Sequence, residues 1–181
     1  MKYSKQWLLA NNNEKTEYLC FWGHAPSRDG SITKTCFSQW WEAPFTVNGD
    51  TYLTAEHWMM AEKARLFNDE TMLAEILKTE KPAAAKAFGR KVLNFDPSVW
   101  DDKKCEIVVQ GNVHKFSQNP ELKAFLLATG NKIIVEASPR DTIWGIGLAP
   151  DNPKALNPAT WRGQNLLGFA LMEVRDILNK K

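Results

Sequence analysis

Residues 54–63 read Thr-Ala-Glu-His-Trp-Met-Met-Ala-Glu-Lys, a stretch with the signature of a helix start. Thr54 is a good N-cap, because its hydroxyl can accept a backbone N–H of the first turn. Glu56 follows in that turn, where the positive end of the helix dipole favours an ionised carboxylate. Lys63 lies almost two turns further on, so the two charges share a face about 10 Å apart along the axis. Such a pair suits the wall of a small-molecule site, but on this stretch alone a solvated helix face with a stray charge pair is the favoured interpretation.

The overall composition predicts a single globular domain over residues 1–181. Of these residues 44% are hydrophobic and 24% are charged, which is ordinary for a protein with a packed core. The net charge of +2 is too small for a general polyanion-binding surface. The sequence contains no run of about eighteen apolar residues, so we expect no membrane span. The N-terminus also lacks the pattern of a signal peptide, and we expect a cytoplasmic protein.

The cysteines and histidines predict neither disulfides nor a metal site. Cys20, Cys36 and Cys105 are widely spaced and form no CxxC pair. This pattern favours free thiols in a reducing compartment. The three histidines show no metal-ligand spacing with them, so no metal and no cofactor is expected.

Periodicity and turn signals predict an α+β fold, a mostly helical domain around a small β-sheet. Strands are expected at residues 17–22 and 132–137, in a hairpin over 45–53 that turns at Asn48-Gly49, and at 142–148, where the strand enters a glycine-containing loop. Residues 149–162, with three prolines, are expected to be an irregular loop. Helices are expected to begin after Thr54 and Asp69, at Pro82 and Pro97, and at Asn119-Pro120, and a last helix is expected over 164–178.

Eight tryptophans are an unusual number for a chain of this length. A flat indole can stack on a heterocycle, which contributes about 1–3 kcal/mol per base. Most of the eight are expected to be packing residues. Trp100 and Trp144 are the two for which the context predicts a role at a ligand.

Three polar positions allow either a functional or a structural interpretation. Asp141 precedes the predicted strand end at residues 143–145, where its side chain can project into a cleft, or it caps the bend before it. Arg90 follows a glycine at a helix end, so it can clamp a phosphate or simply complement the helix dipole. Asn165, at the start of the last helix, can offer its amide and nearby N–H groups to an anion.

Taken together, these fragments resemble the NADAR family of NAD- and ADP-ribose-associated N-glycosidases. The resemblance runs from about residue 18 to residue 178, and the Thr-x-Glu-His and Trp-Gly blocks are fairly specific in combination. The chain departs from the riboflavin-type bacterial member at Ile146, where that member has an acidic residue, and in its longer loop at 149–162. The matching blocks are Phe37-Ser38-Gln39-Trp40, Thr54 to His57 with Lys63, Phe88-Gly89-Arg90, Trp100, Trp144-Gly145, and Asn165 to Gly168 with Leu171-Met172 and Arg175.

The resemblance implies roles for individual residues. The catalytic positions of the family fall on Glu56, Trp100 and Asp141, with Lys63 as a further candidate. The substrate-binding positions that it implies are Trp144, Gly145, Arg90, His57 and Asn165.

The resemblance also implies a reaction, the hydrolysis of a C–N bond between ribose and an exocyclic amine. The implied substrates are ADP-ribosylated guanine in nucleic acid, with a toxin-type ADP-ribosyltransferase as functional counterpart, or ribosylamine nucleotides among the intermediates of riboflavin biosynthesis. A non-catalytic module that binds NAD or ADP-ribose is the alternative, because the same aromatic residues and arginine would serve it. A purely structural protein is less compatible with the tryptophan excess and the carboxylate at the helix start.

Overall fold

The computed structural model describes residues 1–180. Among these residues the secondary structure is α+β, as predicted, and dominated by helices. None of these helices combines the length and the apolarity that crossing a membrane requires. The elements are, in order, α1 (Lys5–Asn11), β1 (Tyr18–Phe21), a 3₁₀ helix (Lys34–Phe37), β2 (Phe45–Val47), β3 (Asp50–Tyr52), α2 (Ala55–Leu66), α3 (Glu70–Lys78), α4 (Pro82–Gly89), α5 (Pro97–Gln118), α6 (Pro120–Leu127), β4 (Ile133–Glu136), two 3₁₀ helices (Pro153–Leu156 and Pro158–Thr160) and α7 (Leu166–Asn179).

Two compact units make up the chain. The first, here called the helical unit, is continuous and comprises Gln39–Pro120. The second, here called the split unit, combines Met1–Ser38 with the residues from Glu121 onward. The expectation of a single domain over residues 1–181 stays a prediction.

Helix α2 lies at the centre of the helical unit, in contact with α3, α4 and α5. Its residues are buried around most of the helix circumference, which is typical of a helix enclosed by neighbours. Trp58 joins α2 to α5, because its indole Nε1–H donates to the Ile107 carbonyl at 2.8 Å. A Cβ on Gly111 would lie 2.3 Å from the Trp58 ring. Glycine is therefore what lets α5 approach α2 this closely.

A short hairpin, β2–β3, completes the helical unit. Phe45 pairs with Tyr52 and Val47 with Asp50 in antiparallel register. The turn residues Asn48 and Gly49 both have positive φ, 53° and 91°. This is the requirement of a type I′ turn, and the Asn-Gly hairpin prediction is confirmed.

In the split unit, β1 and β4 form a parallel pair that runs from Tyr18 opposite Ile133 to Phe21 opposite Glu136. Helix α7 packs on β4. The contact is close because Gly168 faces the strand: a Cβ there would lie 2.1 Å from the Ile134 carbonyl oxygen. The backbone of β4 thus meets the first turns of α7 directly.

Several sequence-based expectations of local structure are confirmed. Thr54 and Asp69 cap α2 and α3 with their side chains. Pro82 and Pro97 open α4 and α5, and Pro120 opens α6. In each case one or two neighbouring residues determine the feature, so the sequence alone is sufficient.

Other expectations were wrong. The predicted strands do not form one small sheet but two separate two-stranded sheets, β1–β4 and β2–β3. Residues 142–148 form no strand, because their carbonyl groups accept N–H groups of residues 162–167, although the N–H of Ile146 donates to the Glu136 carbonyl of β4. Residues 149–162 contain two 3₁₀ helices, and α1 was not predicted at all.

Candidate active site

The first turn of α2 carries a buried carboxylate. Thr54 caps this turn, since its hydroxyl accepts the backbone N–H of His57. Glu56 has only 2% of its surface exposed, and its backbone N–H donates to the Gln39 carbonyl at 2.9 Å. The positive end of the helix stabilises the ionised carboxylate at this position. A fixed negative charge held out of bulk water can stabilise a positive charge that develops on a bound ligand.

The next residue, His57, connects the start of α2 to the end of α3. Its Nε2 lies 3.0 Å from the carbonyl oxygen of Thr79, so this nitrogen carries the proton and donates. Its Nδ1 then accepts the Thr54 hydroxyl proton at 2.8 Å. Burial lowers the pKa of His57, which keeps the ring neutral. Both ring nitrogens are occupied by the protein, and the predicted contact of His57 with substrate stays a prediction.

Lys63 presents its amine to two aromatic rings near the other end of α2. The Nζ atom lies 4.1 Å from the centroid of the Phe95 ring and 5.5 Å from that of Trp100. Burial lowers the pKa of Lys63, and the positive charge of Arg90 lowers it further. A lysine in such surroundings is more often neutral than an exposed one and can act as a nucleophile or transfer a proton.

Arg90 owes its place beside Lys63 to the packing of α4 against α2. A Cβ on Gly89 would lie 2.0 Å from the Met60 sulfur. Met60 is one turn before Lys63 on α2, so this close approach brings the residue after Gly89 towards the Lys63 amine. The side chain of Arg90 is exposed. It can therefore receive a phosphate without a large desolvation cost.

In the split unit, Asp141 organises the loop that follows β4. Its Oδ1 accepts the backbone N–H groups of Ile143 and Trp144, both at 2.8 Å. Its carbonyl accepts the N–H of Gly147 at 3.0 Å. The capping role left open by the sequence is therefore present, on the turn after Asp141 rather than the bend before it. Oδ2 has no hydrogen-bond partner among residues 1–180.

Trp144 and Gly145 lie in the same loop, tied to the start of α7. The Trp144 carbonyl accepts the N–H of Leu167 and the Gly145 carbonyl that of Asn165, both at 3.1 Å. The Trp144 side chain is half-buried. A Cβ on Gly145 would lie 2.8 Å from the Glu136 carbonyl oxygen. Packing alone thus requires the glycine, and its predicted contact with substrate stays a prediction.

Asn165 is fully buried and joins α7 to β4. Its Oδ1 accepts the N–H of Glu136 and its Nδ2 donates to the carbonyl of Ile134, both at 2.9 Å. Its φ of 56° is left-handed, a conformation that asparagine tolerates better than most residues. These contacts give Asn165 a role in the fold, and its predicted role in binding stays a prediction.

The structure brings some of the predicted residues together. Glu56 and Lys63 lie on one helix, the centroid of the Trp100 ring lies 5.5 Å from the Lys63 amine, and the charge of Arg90 lowers the pKa of that amine. Asp141, Trp144 and Gly145 lie in one loop, and Asn165 is hydrogen-bonded to it through the Gly145 carbonyl. This second group belongs to the split unit. The shared catalytic role that the resemblance implies for Glu56, Lys63, Trp100 and Asp141 stays a prediction.

Sequence reasoning missed the ring closest to the Lys63 amine. Phe95 lies in the connection between α4 and α5, far from Lys63 in sequence, and no local pattern links the two. The sequence offered one indirect signal: Asp96 and Pro97 mark the start of α5, so Phe95 must be the last loop residue before that helix.

The two departures from the riboflavin-type pattern lie in well-packed structure. The side chain of Ile146 is fully buried, and its N–H donates to the Glu136 carbonyl at 2.9 Å. In the longer loop at 149–162, Trp161 is buried and donates through Nε1 to the Ala155 carbonyl at 2.8 Å. Both departures therefore contribute to the core of the split unit.

The chain is similar to several known proteins. An N-glycosidase of Acanthamoeba polyphaga mimivirus is 44% identical over 168 residues, which cover 90% of this chain and 97% of that protein. The Escherichia coli N-glycosidase YbiA is 33% identical over 142 residues, 78% of each chain. The solution structure of YbiA superposes with a TM-score of 0.71 at 30% identity and covers 93% of this chain and 88% of YbiA.

The family model described as the NADAR domain matches residues 20–179, which span both units. Because this match covers nearly the whole chain and several relatives are named N-glycosidases, the protein belongs to the NADAR family and is a hydrolase acting on N-glycosyl compounds.

Proposed function

We propose that this N-glycosidase cleaves the bond between the anomeric carbon of a ribose and an exocyclic amine of a base. One arrangement carries the proposal. The Lys63 amine, with its pKa lowered by burial, lies against the rings of Phe95 and Trp100. The same helix holds the buried carboxylate of Glu56. An amine nucleophile and a carboxylate can each act in the cleavage of a ribosylamine.

The chemistry starts from the substrate itself. In a ribosylamine, the lone pair of the exocyclic nitrogen can expel the ring oxygen, which takes up a proton and becomes the 4-hydroxyl. The product of ring opening is an iminium at C1, and its positive charge is what the Glu56 carboxylate would stabilise.

Two continuations consume the iminium. In the first, Lys63 Nζ adds to C1, the base departs as a neutral amine, and a Schiff base between C1 and Nζ remains. Water then adds to C1, the lysine amine leaves, and the free sugar recloses. In the second, Glu56 takes a proton from a water that attacks C1, which gives a carbinolamine, and returns that proton to the exocyclic nitrogen. The base then departs as a neutral amine, the new hydroxyl loses its proton to give the aldehyde, and the free sugar recloses. Both give the same net reaction, in which one water yields a free base amine and a free ribose.

Two substrates fit the proposal, namely ADP-ribose attached to the amino group of guanine in nucleic acid and phosphoribosylamino-pyrimidine intermediates of riboflavin biosynthesis. Arg90 is assigned to the phosphate, Asp141 to the ribose hydroxyls, and Trp100 with Trp144 to the base or sugar face. With the first substrate, a toxin-type ADP-ribosyltransferase would be the functional counterpart. A cytoplasmic location is part of the proposal, because widely spaced cysteines that form no CxxC pair are typical of a reducing compartment.

A substrate panel tests the proposal. Purified protein is incubated with ADP-ribosylated guanosine, with an ADP-ribosylated oligonucleotide and with the pyrimidine ribosylamine phosphate, and released base is measured by chromatography and mass spectrometry. Turnover of one of them is expected. Glu56→Gln should lower its rate on the order of 100-fold or more, since the amide keeps the shape of the side chain but loses its charge.

Glu70→Gln is the matched control, because Glu70 occupies the first turn of α3 but is exposed. It should retain full activity. Binding of ADP-ribose without release of base from any substrate would contradict the proposal and favour the non-catalytic binding module.

A further inference from the structure

The buried side-chain amides of Gln39 and Asn112, both in the helical unit, form a hydrogen bond with each other. Each amide has one further polar atom without a hydrogen-bond partner in the described residues. The Nδ2 of Asn112 donates to the Oε1 of Gln39 at 2.8 Å and to the carbonyl of Val108 at 2.9 Å. Gln39 is 8% exposed and Asn112 is 0% exposed. The Nε2 of Gln39 and the Oδ1 of Asn112 have no hydrogen-bond partner among residues 1–180.

The two remaining atoms have complementary chemistry. Nε2 is a donor and Oδ1 is an acceptor, and each belongs to an amide that shares the 2.8 Å bond. Buried polar atoms are nearly always satisfied in folded proteins, by protein, by ordered water or by a ligand. A buried donor and a buried acceptor without protein partners at one position therefore indicate a site for a small polar group.

The position of this amide pair is fixed from two sides. The backbone carbonyl of Gln39 accepts the N–H of Glu56, so Gln39 is tied to the first turn of α2. Asn112 lies within α5 and is held by the carbonyl of Val108, one turn earlier on the same helix. The residue that supplies the donor is therefore bonded through its backbone to the turn that carries Glu56.

We propose that Gln39 and Asn112 form a binding site for one hydroxyl group, which accepts a hydrogen bond from Gln39 Nε2 and donates one to Asn112 Oδ1. Water and a sugar hydroxyl share this chemistry, because each oxygen can accept and donate at once. The link to catalysis rests on the proposed function. Gln39 is then a positioning residue that holds either the attacking water or a ribose hydroxyl near Glu56.

Crystals of the protein test the site without reference to activity. Structures at high resolution are determined free and after soaking with ADP-ribose. We expect an oxygen within about 3.2 Å of both Gln39 Nε2 and Asn112 Oδ1. An ordered water in the free protein assigns the site to water, and an oxygen seen only with ADP-ribose assigns it to the ribose. Empty density in both crystals, or an oxygen that contacts neither amide, overturns the proposal.

Kinetics on the substrate identified by the panel test the link to the reaction. Gln39→Met has a similar shape but no donor, and it should lower kcat about tenfold or more with unchanged KM if the site holds water. If the site holds a ribose hydroxyl, KM should rise instead. The control is Gln110→Met, an exposed glutamine on α5. Unchanged kcat and KM in a folded Gln39→Met protein would overturn the role in the reaction.

The two proposals can fail separately. If no ribosylamine is hydrolysed, the proposed function fails, while an oxygen bound to both amides still establishes the site. If turnover is observed but the position is empty, only the hydroxyl site fails.

Discussion

The Nζ atom of Lys63 lies 4.1 Å from the centroid of the Phe95 ring, on a side of α2 where burial lowers the pKa of the amine. A cation over an aromatic face is stabilised in its charged form. Burial acts in the opposite direction, and the resulting pKa is below that of an ordinary lysine. The amine of Lys63 therefore loses its proton more easily than that of an exposed lysine, while the rings of Phe95 and Trp100 hold it in a defined place.

A covalent route predicts that Lys63 can be trapped. Reduction with cyanoborohydride during turnover should add the mass of the reduced sugar moiety of the substrate to the peptide that contains Lys63, since a Schiff base is reduced irreversibly. Lys63→Ala should then lose about 1,000-fold or more in rate, a loss typical of removing a nucleophile.

The control for this experiment is Lys91→Ala, because Lys91 is exposed and next to Arg90 in sequence. It should keep its activity and the adduct at Lys63. A mild loss in Lys63→Ala together with no adduct in the wild type would favour direct attack by water, with Glu56 as the base.

The pH dependence of Lys63 should respond to Arg90. Burial is the larger cause of the lowered pKa, and the positive charge of Arg90 is the second. Arg90→Met removes only the second cause, so the pKa of Lys63 should rise part of the way towards its ordinary value. Any rate that requires the neutral amine should then reach its plateau at higher pH than in the wild type.

NMR titration of the methylene carbon next to Lys63 Nζ measures the same shift without reference to activity. Lys91→Met is the control, since it removes an exposed positive charge next to Arg90 in sequence and leaves Arg90 in place. An unchanged titration of Lys63 in Arg90→Met would show that burial alone sets the pKa.

How much of this structure the sequence could predict depends on how far apart in sequence the interacting residues lie. The caps at Thr54 and Asp69 and the turn at Asn48-Gly49 follow from the chemistry of one or two residues, and each is present. The pairing of β1 with β4 joins segments that are more than a hundred positions apart, and no local signal specifies it.

The misassigned strand at residues 142–148 illustrates the same limit. Its hydrophobic pattern resembles a strand, but its carbonyl groups bind the N–H groups of residues 162–167 at the start of α7. Likewise the sequence indicated Lys63 as a candidate but could not supply Phe95, because that contact exists only after α2, α4 and α5 have packed together.

Asn165→Ala separates a role in folding from a role in binding. The substitution removes the partners of the Glu136 N–H and the Ile134 carbonyl. It should lower the free energy of unfolding by about 2 kcal/mol or more, because each buried backbone group left unpaired costs about 1–3 kcal/mol. Urea denaturation measures this change. Asn131→Ala, at an exposed turn, should change it by less than about 0.5 kcal/mol.

If the Asn165 amide only stabilises the fold, the Asn165→Ala protein should have the KM of the wild type under conditions in which it is fully folded. A raised KM with unchanged stability would instead assign Asn165 to the substrate.

Asp141→Asn distinguishes the two functions of the Asp141 carboxylate. An asparagine Oδ1 can still accept the N–H groups of Ile143 and Trp144, so the turn and the stability of the protein should be preserved. If the carboxylate also binds ribose hydroxyls, the loss of its charge should lower kcat/KM by about tenfold or more, because a hydrogen bond to a charged group contributes about 1.5–3 kcal/mol. The control is Asp151→Asn, at an exposed position of the following loop. Full activity of Asp141→Asn, with loss of stability only in Asp141→Ala, would restrict Asp141 to capping its own loop.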